Sequence, residues 1–324
     1  MDYNKLKSFR FWPKLDEAIM KHRYSGERRD SLYPSEASVI AIDPDTKEAS
    51  VLGGCARKSW YRLMRVPPSD PTTTKSEYIF ALGRIIEEFI ADLSKKAGIY
   101  NNNSVKFWDR GSHVSGEIDL VVEIPVEETG YIFCEIKTTW GGKIHNGEEQ
   151  GVARGLFDHH EGRGKARKFV KAIPKDGNML QLATYLYTHR DDPDLIGGKL
   201  VYFLRDNCNR TEFDITIVKE GEKHRLMVNG EIDYRFFVED IYARYAGLAA
   251  KVNTDTILLR GGSTFEQLDP PEKDFDLIYS EEQITKMHDN GDIGDTAYET
   301  HMKKKEYKGD WQCSYTTMAG VIAI

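Results

Sequence analysis

Three charged side chains inside two apolar runs carry the strongest chemical signal in this sequence. The run SGEIDLVVEI, residues 115–124, sets Asp119 among Ile118, Leu120 and Val121, and the run YIFCEIKT, residues 131–138, sets Glu135 and Lys137 two positions apart. Residues two apart on a strand share a face, and a short turn holding Glu127, Glu128 and Gly130 lets the runs pair antiparallel, bringing Asp119 opposite the Glu135–Lys137 pair. Buried carboxylates demand a partner, and a divalent cation answers that demand. Carboxylate oxygens, a backbone carbonyl such as that of Ile136 and waters suit Mg²⁺ or Mn²⁺ better than zinc, which prefers nitrogen and sulfur. The Lys137 ammonium could orient or help deprotonate a water at such an ion and neutralise charge developing on a phosphate. Phosphodiester hydrolysis uses each of these parts. The competing reading is an ordinary exposed strand face with Asp119 closing a turn.

The elements that must position these residues follow from periodicity. Leu82, Ile85, Ile86, Phe89, Ile90 and Leu93 recur at helical spacing and predict a helix over 76–97, with Thr74 and Glu77 as a capping box and Gly98 as the stop. Strands are predicted at 104–109, 115–124 and 131–138 as an antiparallel meander, a helix at 178–189, and a strand pair at 199–206 and 211–218. Helix, three strands, helix, strand is the order of an α/β core over residues 76–220, interrupted by a long basic insertion at 138–177. Residues 1–75 hold short helical candidates between Pro- and Gly-bearing turns and are expected to form an N-terminal helical cap. Residues 221–324 are expected to form a helical accessory region packed on the core, with a helix at 231–251, a linker at PPEKDFD and a polar helical stretch at 281–306.

Hydrophobic residues make up 40% and charged residues 30% of the 324, the profile of a globular chain long enough to bury a sizeable core. No apolar run approaches bilayer length, and the N-terminus lacks the apolar segment of a secretory signal, so a cytoplasmic protein with no membrane partner is expected. Four scattered cysteines make no disulfide framework. A formal net charge of −7 argues against non-specific coating of nucleic acid while leaving room for a local basic groove.

The run Gly116-Glu-Ile-Asp119 followed by Glu135-Ile-Lys137 resembles the central motif of the PD-(D/E)XK nuclease superfamily, whose restriction-endonuclease-like core has a similar element order. The RecB-like branch, which includes CRISPR-associated and phage recombination exonucleases, adds an acidic or His residue on the preceding helix and a Q-x-x-x-Y motif on the following one. Glu87 in Gly83-Arg-Ile-Ile-Glu87 and the pair Gln181 and Tyr185 in Gln181-Leu-Ala-Thr-Tyr185 match those additions. LYPSEAS and the stretch from Cys55 to Arg62 are similar to that branch's N-terminal pattern, with a fainter echo at 309–315. The resemblance covers about residues 33–205. It implies that Glu87, Asp119, Glu135 and the Ile136 carbonyl ligate Mg²⁺ or Mn²⁺, that Lys137 serves the attacking water, and that Gln181 and Tyr185 help place the DNA backbone.

Two departures from that pattern stand out. Many relatives hold an iron–sulfur cluster through four cysteines; only Cys55 and Cys313 fit here, so no cluster is expected and both are read as packing residues, with Trp311 and Tyr315 docking the tail. Lys137 and Gln181 are 44 positions apart, and the span 154–175 carries seven cations against two anions. A solvated charge run and a DNA-contacting flap compete there; attachment beside the metal-ligand strands favours the flap, with Arg163, Lys165, Arg167 and Lys168 as DNA-binding residues. A second GEID at 230–233 has no E-x-K strand after it and is assigned no catalysis. His159 and His160, adjacent rather than at ligand spacing, are read as loop residues. Arg57 and Tyr61, four apart, either line the DNA entrance or pack a helix.

The expected function is a metal-dependent deoxyribonuclease hydrolysing phosphodiester bonds, with the RecB-like features favouring an exonuclease acting on DNA ends or single-stranded regions. Two alternatives compete: a DNA-binding or assembly subunit that keeps the fold without cutting, and a structure-specific endonuclease. A phage or prokaryotic role in DNA recombination, repair or defence follows only by family analogy.

Overall fold

The structure, a computed structural model, describes residues 11–21, 31–36, 39–42, 49–52, 56–66, 73–124, 130–139, 157–161, 168–205, 208, 210–271, 278–279, 281–289, 295, 298–299, 302 and 307–308. Its elements in chain order are α1 (Phe11–Lys21), a 3₁₀ turn (Pro34–Glu36), β1 (Val39–Ile42), β2 (Ala49–Leu52), α2 (Ala56–Leu63), α3 (Thr74–Ala97), β3 (Tyr100–Asp109), β4 (Val114–Ile124), β5 (Gly130–Thr139), β6 (Phe157–Glu161), β7 (Lys168–Ile173), α4 (Asp176–Thr188), β8 (Leu195–Leu204), β9 (Arg210–Glu220), β10 (Lys223–Val228), β11 (Glu231–Asp233), α5 (Val238–Arg260), β12 (Ile278–Tyr279), α6 (Glu281–Asp289) and β13 (Tyr307–Lys308).

The chain is α/β, built on a seven-stranded mixed sheet in the order β11-β10-β9-β8-β5-β4-β3. Among the strand pairs of this sheet in the described residues, β5–β8 is the parallel one; β3–β4–β5 form the expected meander and β8 to β11 run antiparallel. A parallel neighbour requires a crossover, and α4 supplies it between β5 and β8. One apolar cluster sits between the sheet and the α4–α5 layer, with Ile118, Phe133, Leu180, Leu182, Leu200, Ile215 and Ile241 at its centre. A second, smaller cluster on Leu120, Val122, Ile132, Cys134 and Ile136 meets Ala91 of α3.

Helix α3 starts at Thr74, with Thr73 rather than Thr74 as its N-cap, the Thr73 hydroxyl accepting from the Ser76 N–H at 3.2 Å. Gly98 ends it in the left-handed region at φ 73°, where a Cβ is unfavourable. The sheet contact is made by the small Ala91 and the partly buried Ile90, while Leu82, Ile85, Phe89 and Leu93, half or more of the apolar set that signals the helix, stand exposed.

Three expectations need correction. The sheet continues past residue 220, because Glu220 and Lys223 close a hairpin that adds β10 and β11, so the C-terminal region is not purely helical. Residues 231–233 accordingly form an edge strand, and the helix expected at 231–251 begins only at Val238. The N-terminal region is not purely helical either, since β1 and β2 form a two-stranded ribbon. Within the basic insertion, β6 and β7 pair as a hairpin, which places His159 and His160 on a strand.

The N-terminal segment is fastened at several points. Leu32 bridges Val114 in parallel, donating its N–H to His113 and accepting from Ser115 at 2.9 and 3.0 Å. Arg62 of α2 reaches both Glu36 carboxylate oxygens and the Ser31 carbonyl and lies over the Tyr33 ring. The Trp60 indole donates to Asp255 of α5 at 2.7 Å. Arg57 donates to the Pro271 carbonyl and Tyr61 stacks near Phe265, so both hold α2 to the 265–271 segment.

Candidate active centre on the central strands

Asp119 lies where regular alternation breaks. Ile118 joins the larger apolar cluster and Leu120 the smaller one, although residues two apart on an undisturbed strand share a face. On the facing strand Val105 pairs with Ile118 and Asn103 with Leu120, while Ser104 between them has a left-handed φ of 54°. The exchange of faces falls at this position, with no shift of register across it, opposite Ser104 and at Asp119. Its ladder with β5 ends at the Leu120–Cys134 pair; beyond it, the Asp119 carboxylate accepts the N–H of Ile136 at 2.7 Å in place of a main-chain carbonyl. In an extended strand a residue's carbonyl points to the same edge as its amide, so the Ile136 carbonyl also faces the gap toward β4.

Glu135 is fully buried, and one of its carboxylate oxygens accepts from the Lys137 ammonium. The other oxygen is buried with no hydrogen-bond partner. Burial, followed by the charge of Asp119, pushes Glu87 up to about 7, with Lys137 and Arg84 pulling the other way. Burial likewise lifts Asp119 above the ordinary carboxylate range against Lys137 and the Ile136 amide. It pushes Glu135 up to about 8 despite the adjacent ammonium. For Lys137, burial works against the charged form, but Glu135, Asp119 and Glu87 outweigh it and hold the pKa above the usual value. Three mutually repelling carboxylates thus crowd one ammonium, with Glu135 fully buried and Glu87, Asp119 and Lys137 half-buried around it.

The expected residues Glu87, Asp119, Glu135 and Lys137 are therefore brought into one electrostatic cluster by α3, β4 and β5. Among the described residues, however, no three His, Cys, Asp or Glu side chains already stand as a metal-binding group. Asp119 is turned onto the Ile136 amide and Glu135 onto Lys137. An ion would have to take over those bonds. The donors on offer, carboxylates and a carbonyl, fit a hard cation, as does the orphaned Glu135 oxygen.

Gln181 and Tyr185 do share a face of α4. Gln181 donates to the Tyr185 hydroxyl at 2.9 Å, and that hydroxyl donates to the Glu117 carbonyl at 3.2 Å, two residues before Asp119. Tyr185 is 2% exposed, so it ties α4 to β4 rather than facing solvent. Gly116 makes this approach possible: a Cβ there would lie 2.5 Å from the Phe107 ring and 2.9 Å from that of Tyr185. Arg163, Lys165 and Arg167 lie outside the described residues, as do Cys55, Trp311, Cys313 and Tyr315; of Lys168 only the backbone, at the start of β7, is described.

Sequence reasoning missed three contributors. Arg84 and Glu117 act on the charge of Glu87, and Tyr202 flanks Lys137. Arg84 could have been found one helical turn from Glu87; Tyr202 depends on the parallel β5–β8 register, which carries no local signal. The second GEID has a structural role: Asp233 and Asp176, the first residue of α4, both bind the Arg235 guanidinium, each with an oxygen within 2.8 Å. Among the described residues no helix is long and apolar enough to cross a membrane.

No family model matches the chain, and no curated protein matches it at a significant level. Among solved structures, one titled "Crystal structure of SSO0001" is similar over 74% of this chain and 83% of its own, at 16% identity and a TM-score of 0.35, a likeness too slight to carry an inference.

Proposed function

We propose that this protein is a divalent-metal-dependent deoxyribonuclease with a restriction-endonuclease-like core, and that its active centre is the cluster of Glu87, Asp119, Glu135 and Lys137. The observation that carries this reading is Glu135, fully buried with one oxygen on Lys137 and the other without a hydrogen-bond partner, beside two further carboxylates. A retired or purely structural site has no physical reason to keep that arrangement, since each uncompensated buried charge costs stability.

When bound, Mg²⁺ or Mn²⁺ supplies polarisation of the scissile phosphate and a lowered pKa for the attacking water. Glu87, Asp119 and Glu135 are the residues to hold it, with the Ile136 carbonyl on the same gap. The Lys137 amine, kept as ammonium by the carboxylates, orients the attacking water and offsets charge building on the phosphate oxygens. Attack at phosphorus breaks the bond to the 3′ oxygen, leaving a 5′-phosphate and a 3′-hydroxyl. Gln181 and the basic insertion supply contacts to the DNA backbone, and the RecB-like motifs favour action at DNA ends.

Incubation of the purified protein with Mn²⁺, end-labelled linear DNA and closed circular DNA tests this. Progressive loss of linear DNA with intact circles is expected. Nicking of circles would establish the endonuclease alternative, and binding without cutting the non-cleaving subunit.

A further inference from the structure

Lys137 has a neighbour that no motif indicates. Across the parallel pair β5–β8, Lys137 is in register with Tyr202, so the two side chains stand on one face of the sheet at the spacing of adjacent strands. The Tyr202 ring is 1% exposed. Its hydroxyl accepts from the Lys175 N–H at 3.1 Å and from the Asn178 side-chain amide at 2.8 Å. Both donors belong to the start of α4, where Lys175 is the N-cap residue and makes no side-chain cap of its own. Arg235 grips the adjacent Asp176 from the β11 side. The two ends of the α4 contact with the sheet are thus pinned by two tyrosine hydroxyls, that of Tyr202 at the first turn and that of Tyr185 at the Glu117 carbonyl.

We propose that Tyr202 is a positioning residue of the candidate active centre: its hydroxyl fixes the first turn of α4 to β8, the parallel neighbour of the strand that carries Lys137, and its ring confines the Lys137 stem so that the amine points at Glu135. A lysine amine on a four-carbon stem has many rotamers, and one that serves a reacting water must be restricted to few. Glu135 restrains the Lys137 amine at its tip, and Tyr202 is the wall beside its stem. Without the hydroxyl, the Lys175 amide and Asn178 have no common acceptor and the first turn is free to shift, carrying Gln181 with it.

This inference rests on reading the cluster as a nuclease centre, and its test separates the two. Tyr202→Phe, Asn178→Ala and the double variant are compared with the parent for Mn²⁺-dependent cleavage of linear DNA and for the side-chain ammonium resonance of Lys137, assigned by its loss in Lys137→Arg. Tyr202→Phe is expected to lower kcat by roughly tenfold with KM within about twofold, the signature of a misplaced group rather than weakened substrate binding. Asn178→Ala is expected to move the same way, and the double variant to fall no further than Tyr202→Phe, because the Asn178 bond is one of the two that the missing hydroxyl already removes. The Lys137 resonance is expected to shift in both. An unshifted resonance with parental kcat in either variant overturns the assignment. A parent that cuts no DNA removes the nuclease reading, while the Lys137 resonance still decides whether Tyr202 positions the amine.

Discussion

The Asp119 carboxylate takes the Ile136 N–H at 2.7 Å, one step beyond the last registered pair of β4 and β5. A side chain there replaces a main-chain acceptor, and the strands part around it. Asp119→Ala leaves the buried Ile136 amide without a partner and is expected to cost about 1–3 kcal/mol in urea denaturation. Asp119→Asn keeps a carbonyl acceptor and should recover most of that stability, while recovering little Mn²⁺ affinity. Equal ion affinity in the parent and Asp119→Asn would show that Asp119 serves the backbone alone.

Lys137→Ala removes the ammonium that is paired with Glu135. DNA association should persist while single-turnover cleavage falls by about two to four orders of magnitude, the range of a positioned proton-transfer or electrostatic group. The fold should tolerate the change, because Glu135, already pushed up to about 8, takes a proton near neutral pH instead of remaining a bare charge. Parental cleavage rates in Lys137→Ala would remove it from the mechanism.

Glu87 and Glu135, raised from 4.5 to about 7 and about 8, set a pH dependence for the metal-free protein. The folded form holds these protons more tightly than the unfolded chain, so their contribution to stability is complete below pH 4.5 and drains away as pH rises through about 7 and 8. A lower urea midpoint at about pH 8.5 than at about pH 5.5 is expected, with a smaller difference in Glu135→Gln. Divalent-ion affinity should run the opposite way and increase over the same window, since ion binding displaces the protons. Calorimetric titration with Mn²⁺ at several pH values checks it; flat affinity would contradict the assigned ligands.

Gly116→Ala places a Cβ 2.5 Å from the Phe107 ring, against aromatic groups that are themselves buried. Overpacking of this kind costs about 1–3 kcal/mol, and a thermal melt should reveal it. Because Tyr185 is the second ring displaced, cleavage should suffer along with stability. A melt indistinguishable from the parent would mean that the rings move aside freely.

Neutralising Arg163, Lys165, Arg167 and Lys168 together should weaken DNA binding and lower the slope of log affinity against log salt by up to about four, roughly one for each phosphate that no longer meets a cation. Filter binding across a salt series measures the slope. An unchanged slope would take the basic insertion out of the DNA interface.

The sequence alone determined the helix that ends at Gly98 and the β3–β5 meander that sets Asp119 opposite Glu135 and Lys137, because these depend on local periodicity, on a left-handed stop and on a short turn that leaves one pairing available; Glu87 was added to them only by the motif resemblance. Only the tertiary structure decided which face of α3 meets the sheet, and it chose Ala91 over Leu82 and Phe89, since close approach to a sheet rewards small side chains at the contact. It also decided that Gly116 lies under two rings, that Arg235 ties the second GEID to α4, and that Tyr202 stands beside Lys137. Each of these contacts spans a long stretch of chain, and the parallel β5–β8 pairing that aligns Lys137 with Tyr202 is fixed by how the crossover helix packs, which leaves no mark in the residues on either strand.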